Sequence, residues 1–414
     1  MLTNCQINNL VLRSQVGSGA FGLVFHAIDI VSQQEYAIKA VLKTSPNDSN
    51  NSTNDEKKQI KKSTILQDKL YHYFKEHQNR IYLPSVDLES IKNLTEQQLY
   101  CIPHYKEINF HLKVHDHANI VTIHQILESQ IATFIVMDYY PIDLFSSIVE
   151  HKHFSNDGLL VKKVFLQLCS ALNYCHQQNI YHCDIKPENI LLDRFDNIHL
   201  CDFGLATYSS YLAPNTCVGS SYYMAPERVF CNGNGNGNNN DNNGICNDQN
   251  VCSSFPTISG DIWSLGIILI NLTCIRNPWL KAHQLEDNTY HHFAKDNTIL
   301  QKILPISNEF FQLLSNILKI NPFERLTINS LIQNVENLAS FTVDGPLSSV
   351  PQLIPIYDNN NYYNINAVTQ PNNNNSLSLN ELINDYADDP NEENNRKWKH
   401  IQLIFRRYTI SIRS

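Results

Sequence analysis

The hydrophobic periodicity of this chain changes once, at Pro141, and that change restricts the possible architectures more than any other feature. Between residues 10 and 43, apolar and polar positions alternate around a glycine cluster. Runs such as Leu23-Val24-Phe25-His26-Ala27 and Tyr36-Ala37-Ile38-Lys39-Ala40-Val41 are rich in β-branched and aromatic residues. Alternation of this kind turns one side of a strand inward, so the stretch predicts a strand, turn and strand meander. A helix over Glu107–Val114 and strands over Ile120–Leu127 and Thr133–Asp138 follow. After Pro141 the apolar residues Val161, Val164, Phe165, Leu168, Ala171, Leu172 and Cys175 fall on one helical face, predicting a helix over Leu159–His176. Short strands at Ile190–Leu192 and His199–Cys201 come next, then helices at Asp261–Cys274, Glu309–Leu318 and Thr327–Leu338. The order predicts an α+β fold with two lobes, a small β-rich one and a larger helical one.

Only 17% of residues are charged, against a usual quarter, and asparagine fills much of the gap. Residues 44–62 read as a solvated loop, and the Asn/Gly tract 232–243 cannot bury enough surface to offset its ordering entropy. The organisation expected is one domain over 10–340, with an N-lobe at 10–140 and a C-lobe at 141–340. Polar inserts interrupt it at about 44–62 and 232–250, and 343–414 form an Asn-rich, largely disordered tail. A net charge of -9 argues against general binding to nucleic acid or anionic membrane. The most apolar window, Ile262–Ile275, is short and mixed and reads as a buried helix. The first residues lack a basic segment followed by an apolar core. Eleven cysteines without a C-x-x-C pair suggest neither a zinc ribbon nor a disulfide framework. Reduced thiols and a cytoplasmic and/or nuclear location are expected.

Gly17-Ser18-Gly19-Ala20-Phe21-Gly22-Leu23-Val24 is a G-x-G-x-x-G-x-V pattern between strand-like runs. Without a Cβ, such a backbone can aim its amides at phosphate. Dinucleotide folds and plain glycine-rich hairpins share the spacing, but a dinucleotide site needs a helix opening at Gly22, and Leu23-Val24-Phe25 continues as strand. Lys39, on the next strand, shares a face with Ala37. Further on stand His182-Cys183-Asp184-Ile185-Lys186-Pro187-Glu188-Asn189 and Asp202-Phe203-Gly204. Two carboxylates, a lysine and a carboxamide are the parts phosphoryl transfer needs: an acceptor for the hydroxyl proton, oxygen ligands for magnesium, and a cation for the moving phosphoryl group.

In these motifs the chain resembles the eukaryotic protein kinases, over roughly residues 10–340 and in the family's order. Ala225-Pro226-Glu227 is similar to the end of the activation segment, Asp261-Ile262-Trp263-Ser264-Leu265-Gly266 to the anchoring helix of the large lobe, and Asn321-Pro322-Phe323-Glu324-Arg325 to the late arginine motif. The resemblance implies ATP and Mg2+ bound between the lobes. It implies that Val16, Gly17, Ser18, Gly19, Ala20, Phe21, Gly22, Leu23 and Val24 cover the nucleotide, and that Val24, Ala37 and Leu191 sandwich its base. The backbone at Asp138 and Tyr140, after the gatekeeper Met137, would bond adenine, and Asp143 the ribose. Lys39 would hold the α and β phosphates and pair with a helix glutamate. Glu107 fits by its distance from Asn119-Ile120-Val121, with Glu56 and Glu76 as alternatives. Asp184 would be the catalytic base, Lys186 the phosphate-stabilising lysine, Asn189 and Asp202 the metal ligands, and Arg325 a latch for Glu227.

Lys186 resembles the serine/threonine version of the loop, which implies protein substrates with Ser/Thr hydroxyls and a monomeric catalytic domain. Ser220 would lie against Asp184, or else cap the turn after it. A pseudokinase scaffold with the same fold and a small-molecule kinase are the rival readings. The complete catalytic set opposes the first, and Ala225-Pro226-Glu227 opposes the second. Cys183 departs from the family, which mostly has an arginine there to pair with a phosphorylated activation segment. Activity that does not depend on a phosphate at Thr216 is therefore expected. The loop sequences are similar to those of fungal kinases linked to nutrient and meiotic control. The histidines outside the motifs lack ligand spacing. Lys397–Arg413, basic and aromatic, reads as an amphipathic end or a docking segment.

Overall fold

The computed structural model describes residues 2–19, 22–43, 62–155, 157–213, 216–217, 219–229 and 254–344. Most of the two inserts and nearly all of the tail, with Ala20, Phe21 and Glu56, lie outside these described residues. The first lobe is one sheet. Its strands are β1 (Gln6–Ile7), β2 (Leu10–Ser18), β3 (Leu23–Asp29), β4 (Glu35–Leu42), β5 (Arg80–Ile81), β6 (Ser85–Val86), β7 (Ile123–Glu128) and β8 (Ala132–Asp138). They run in the order β5-β1-β2-β3-β4-β8-β7-β6. Register sets Val24 opposite Lys39 and Ala37 opposite Met137.

Period-two alternation gives this sheet two apolar faces. Leu12, Leu23, Phe25, Ile38, Phe134 and Val136 form one face, covered by Leu66, Leu70 and Phe74 of helix α1 (Lys62–Glu76). Those three residues recur every four positions, which makes a single buried stripe, and burying each contributes about 1.5–3 kcal/mol. The opposite face carries Val24, Ala37, Ile123, Ile135 and Met137. Against it pack Ile91 of α2 (Leu88–Lys92) and Ile108 and Leu112 of α4 (Lys106–Leu112). Between them, α3 (Glu96–Cys101) opens on a Thr95/Gln98 capping box.

The second lobe starts with β9 (Ile142–Asp143), α5 (Leu144–Val149) and α6 (Gly158–Gln177), whose N-termini are capped by Asp143 and Asp157. Strands β10 (Ile190–Leu192) and β11 (Ile198–Leu200) join β9 in a small sheet. Strand β12 (Tyr211–Leu212), helix α7 (Pro226–Val229), strand β13 (Phe255–Pro256) and helix α8 (Thr257–Cys274) follow. Helices α9 (Asn288–Lys295), α10 (Ile299–Ile303), α11 (Asn308–Ile317) and α12 (Ile328–Asn337) complete the lobe. Helix α8 is long and apolar enough to cross a bilayer, yet 83% of it is buried inside the protein. Its Trp263 packs 5.8 Å from Trp279, in a core shared with α6, α11 and α12.

The α+β, two-lobed architecture is the one the periodicity indicated, and the differences are local. The strand expected from Ile120 begins at Ile123, because Ile120 bridges to Leu200 and Val121 N–H donates to Leu200 O, committing both to the second lobe. Lys62 opens a helix instead of closing a loop. Seven cysteines among the described residues are free thiols, whereas Cys217 is disulfide-bonded, against the expectation of reduced thiols throughout.

Candidate active site

A cavity of about 300 Å3 opens where the two lobes meet. That is at the small end of the range for ligand pockets. Val16, Gly17, Val24 and Ala37 line it from above, Leu191 and Cys201 from below, and Met137, Asp138, Tyr139 and Tyr140 along the connecting strand. Lys39, Glu107, Asn189 and Asp202 close its polar end. Gly22 lies where a Cβ would come 2.2 Å from Ala40 O, so the β2–β3 turn can fold onto β4 only with glycine there. Leu23 is not brought to the cavity: it packs in the core on the far face of the sheet, since successive strand residues point to opposite sides.

Lys39 Nζ is 2.5 Å from Glu107 Oε1 and 3.2 Å from Asp202 Oδ1. Burial alone would lower the Lys39 ammonium, but the carboxylates of Glu107 and Asp202 outweigh it and hold it above its ordinary value. The same burial raises Glu107, with Lys39 opposing, while at Asp202 the Lys39 cation overcomes burial and holds the carboxyl below the usual range. Of the alternatives for the partner of Lys39, Glu76 is exposed on α1, the helix that covers the other face of the sheet. Glu56 lies outside the described residues.

The catalytic loop gathers around Asp184. Its Oδ2 accepts from Lys186 Nζ at 2.6 Å and its Oδ1 from Ser220 Oγ at 2.9 Å, while Lys186 also donates to Ser220 Oγ at 3.2 Å. Asn189 Nδ2 donates to Asp184 O at 2.9 Å, which turns its amide oxygen the other way. Asn189 Oδ1 and the Asp202 carboxylate are hard oxygen donors at the polar end of the cavity. Two such groups plus phosphate oxygens suit magnesium, which keeps few protein ligands. No cluster of three or more His, Cys, Asp or Glu fit for a metal occurs among the described residues. Deeper in the second lobe, Arg325 forms two bonds of 2.7 and 2.6 Å to Glu227, both side chains being 1% exposed.

Along the connecting strand, Asp138 N–H donates to Thr122 O at 3.1 Å, and its carboxylate meets His124 at 2.6 Å. Asp143 lines the cavity while its side chain caps α5 at Ser146 N. His111 also lines the cavity, although the sequence reading set it aside with the other histidines as a surface or core residue. It stands one helical turn after Glu107 and so on the same face, which is the signal that would have found it. Its ring lies 4.9 Å from that of Phe203, and Nε2–H donates to Val121 O at 2.6 Å. Burial pushes this imidazole down to about 3, so it is neutral.

A protein kinase domain profile matches residues 85–335. The chain is 60% identical to the serine/threonine-protein kinase SKS1 of Saccharomyces cerevisiae, over 85% of its own length and 70% of that protein's. It is 56% identical to the serine/threonine-protein kinase VHS1 of the same yeast, over 85% and 75% of the two lengths. A Schizosaccharomyces pombe protein described as a negative regulator of sexual conjugation and meiosis is 34% identical over 81% of this chain and 62% of its own length.

Proposed function

From the premise that this chain belongs to the protein kinase family and is a serine/threonine protein kinase, we propose how its residues divide the work. ATP lies in the cavity between the lobes, its base between Val24, Ala37 and Leu191 and against the backbone of Asp138 and Tyr140. The described part of the glycine-rich run, Val16–Gly19, Gly22 and Val24, covers the phosphates. Lys39, held by Glu107, binds the α and β phosphates, and Asn189 and Asp202 hold magnesium, which screens the phosphate charge when bound. Asp184 accepts the proton of a substrate serine or threonine hydroxyl and orients it in line. Lys186 stabilises the moving phosphoryl group. Ser220 keeps Asp184 and Lys186 in register.

The observation that carries this reading is the convergence on Asp184 of Lys186, Ser220 and Asn189 while Lys39 bridges Glu107 and Asp202. We further propose one catalytic domain over 10–340 that acts as a monomer on proteins, in the cytoplasm and/or nucleus. Seven free thiols among the described residues accord with that setting, while the disulfide at Cys217 does not. The test is incubation of the purified chain with γ-labelled ATP, magnesium and a generic basic protein. Label on serine and threonine, lost in Lys39→Met, is the expected result. Label on tyrosine alone, or transfer only to small-molecule hydroxyls, would overturn the proposal.

A further inference from the structure

Cys183 puts a buried thiol where most kinases carry a cation, so something else must tie the catalytic loop to the activation segment. Arg228, three residues beyond Ala225, is that buried cation, only 7% exposed. Its Nη2 donates to Thr257 O, in the first turn of α8, at 2.6 Å, and its charge lies near the Cys183 thiol. Thr257 is fastened to the start of the activation segment: its N–H donates to Ser210 O at 2.9 Å and its Oγ1–H to Ser209 O at 2.6 Å. Alongside, Tyr211 and Leu212 pair with Pro256 and Phe255. The guanidinium therefore fastens the start of α8, which holds residues 209 and 210 through Thr257 and, through Asp261, the backbone of residue 183 next to Asp184.

The surroundings are shaped for that cation. A Cβ on Gly260 would lie 2.2 Å from Arg228 Cζ, so glycine leaves the room the guanidinium fills. The Asp261 carboxylate supplies the counter-charge, and it accepts from Cys183 N at 3.0 Å, His182 N at 3.2 Å and His176 Nε2 at 2.9 Å. A planar fork fills the space beside Gly260 while donating to the Thr257 carbonyl, which a lysine ammonium on a flexible stem does poorly. Burial, with Asp261 nearby, pushes the Cys183 thiol up to about 12, so it stays protonated and uncharged beside the cation.

We propose that Arg228 is a positioning residue that replaces the missing catalytic-loop arginine, holding the loop and the activation segment in register without a phosphate. The proposal rests on the kinase reading above. Its test uses the full chain, with kcat and KM measured for Arg228→Met, Arg228→Lys and the double variant Cys183→Arg/Arg228→Met, well below their melting temperatures. The expected result is a fall in kcat of about tenfold or more for Arg228→Met, with KM for ATP unchanged within about twofold. The double variant returns a guanidinium to the same space from the catalytic loop and regains most of the loss. A purely structural role would lower the melting temperature and the active fraction but leave turnover per active site intact. Should Arg228→Met fail to fold, Arg228→Lys keeps the buried charge and carries the test, with a loss of about fivefold or more expected. A kcat within about twofold of wild type in the folded variants, or no recovery in the double variant, overturns the proposal. A wild-type chain that transfers no phosphate overturns the kinase reading and this inference with it, and is told apart by being inactive before any substitution.

Discussion

Removing Arg325 tests how the end of the activation segment is held. The guanidinium makes two bonds to Glu227, donates to Ser259 O at 2.8 Å and Lys319 O at 2.9 Å, and lies 4.9 Å above the Trp263 ring. With both side chains 1% exposed, Arg325→Leu leaves the Glu227 carboxylate in the core without its partner. Breaking a buried pair from one side costs about 3–5 kcal/mol. At about 2.1 cal/mol/K per residue, a domain of about 330 residues loses about 1.4 °C of melting temperature per kcal/mol, so scanning calorimetry should show a fall of roughly 4–7 °C. The double variant Glu227→Leu/Arg325→Leu removes both charges and recovers about half of that, since paired replacement avoids an uncompensated charge. A fall below about 2 °C for the single variant, or a double variant that melts no higher, would refute the reasoning.

Other outcomes follow from single residues. Thr216→Ala keeps activity, because Cys183 offers no cation to a phosphate there; a loss beyond about a hundredfold, near 2.7 kcal/mol, contradicts this. Gly22→Ala drives a methyl group into Ala40 O and should raise KM for ATP and lower the melting temperature; a variant with both unchanged counts against the observed turn. Asp261 sits below its ordinary value of 3.8, burial being outweighed by His176 and Arg228. Its contribution is present above that value and is lost as pH falls through the lowered folded one. The melting-temperature gap between wild type and Asp261→Asn should therefore narrow on acidification below pH 3.8, and a gap that stays constant refutes the assignment.

The parts legible in the sequence are those whose geometry is local. The loop from His182 to Asn189 and the turn at Asp202 are short, so their residue spacing already implies which side chains meet. Lys39 and Ala37 could be set on one face from alternation alone. Helix α1 carries the same kind of signal in Leu66, Leu70 and Phe74, yet the sequence reading passed from the polar insert to Glu107 and missed it. What the sequence concealed is contact through space. Nothing near Arg228 in the chain points to Cys183, 45 positions earlier, and Leu23 belongs to the glycine-rich motif while its side chain serves the core. Glu107 was favoured over Glu76 by spacing, and the opposite faces taken by α1 and α4 settle the choice.

In the proposed mechanism Asp184 serves the chemical step and not the binding of nucleotide. Steady-state kinetics of Asp184→Asn, with ATP affinity measured in parallel, test it most directly. The expected result is a fall in kcat of about 10²–10⁴-fold with ATP affinity unchanged within about threefold. An Asp184→Asn enzyme that turns over within about tenfold of wild type would contradict it.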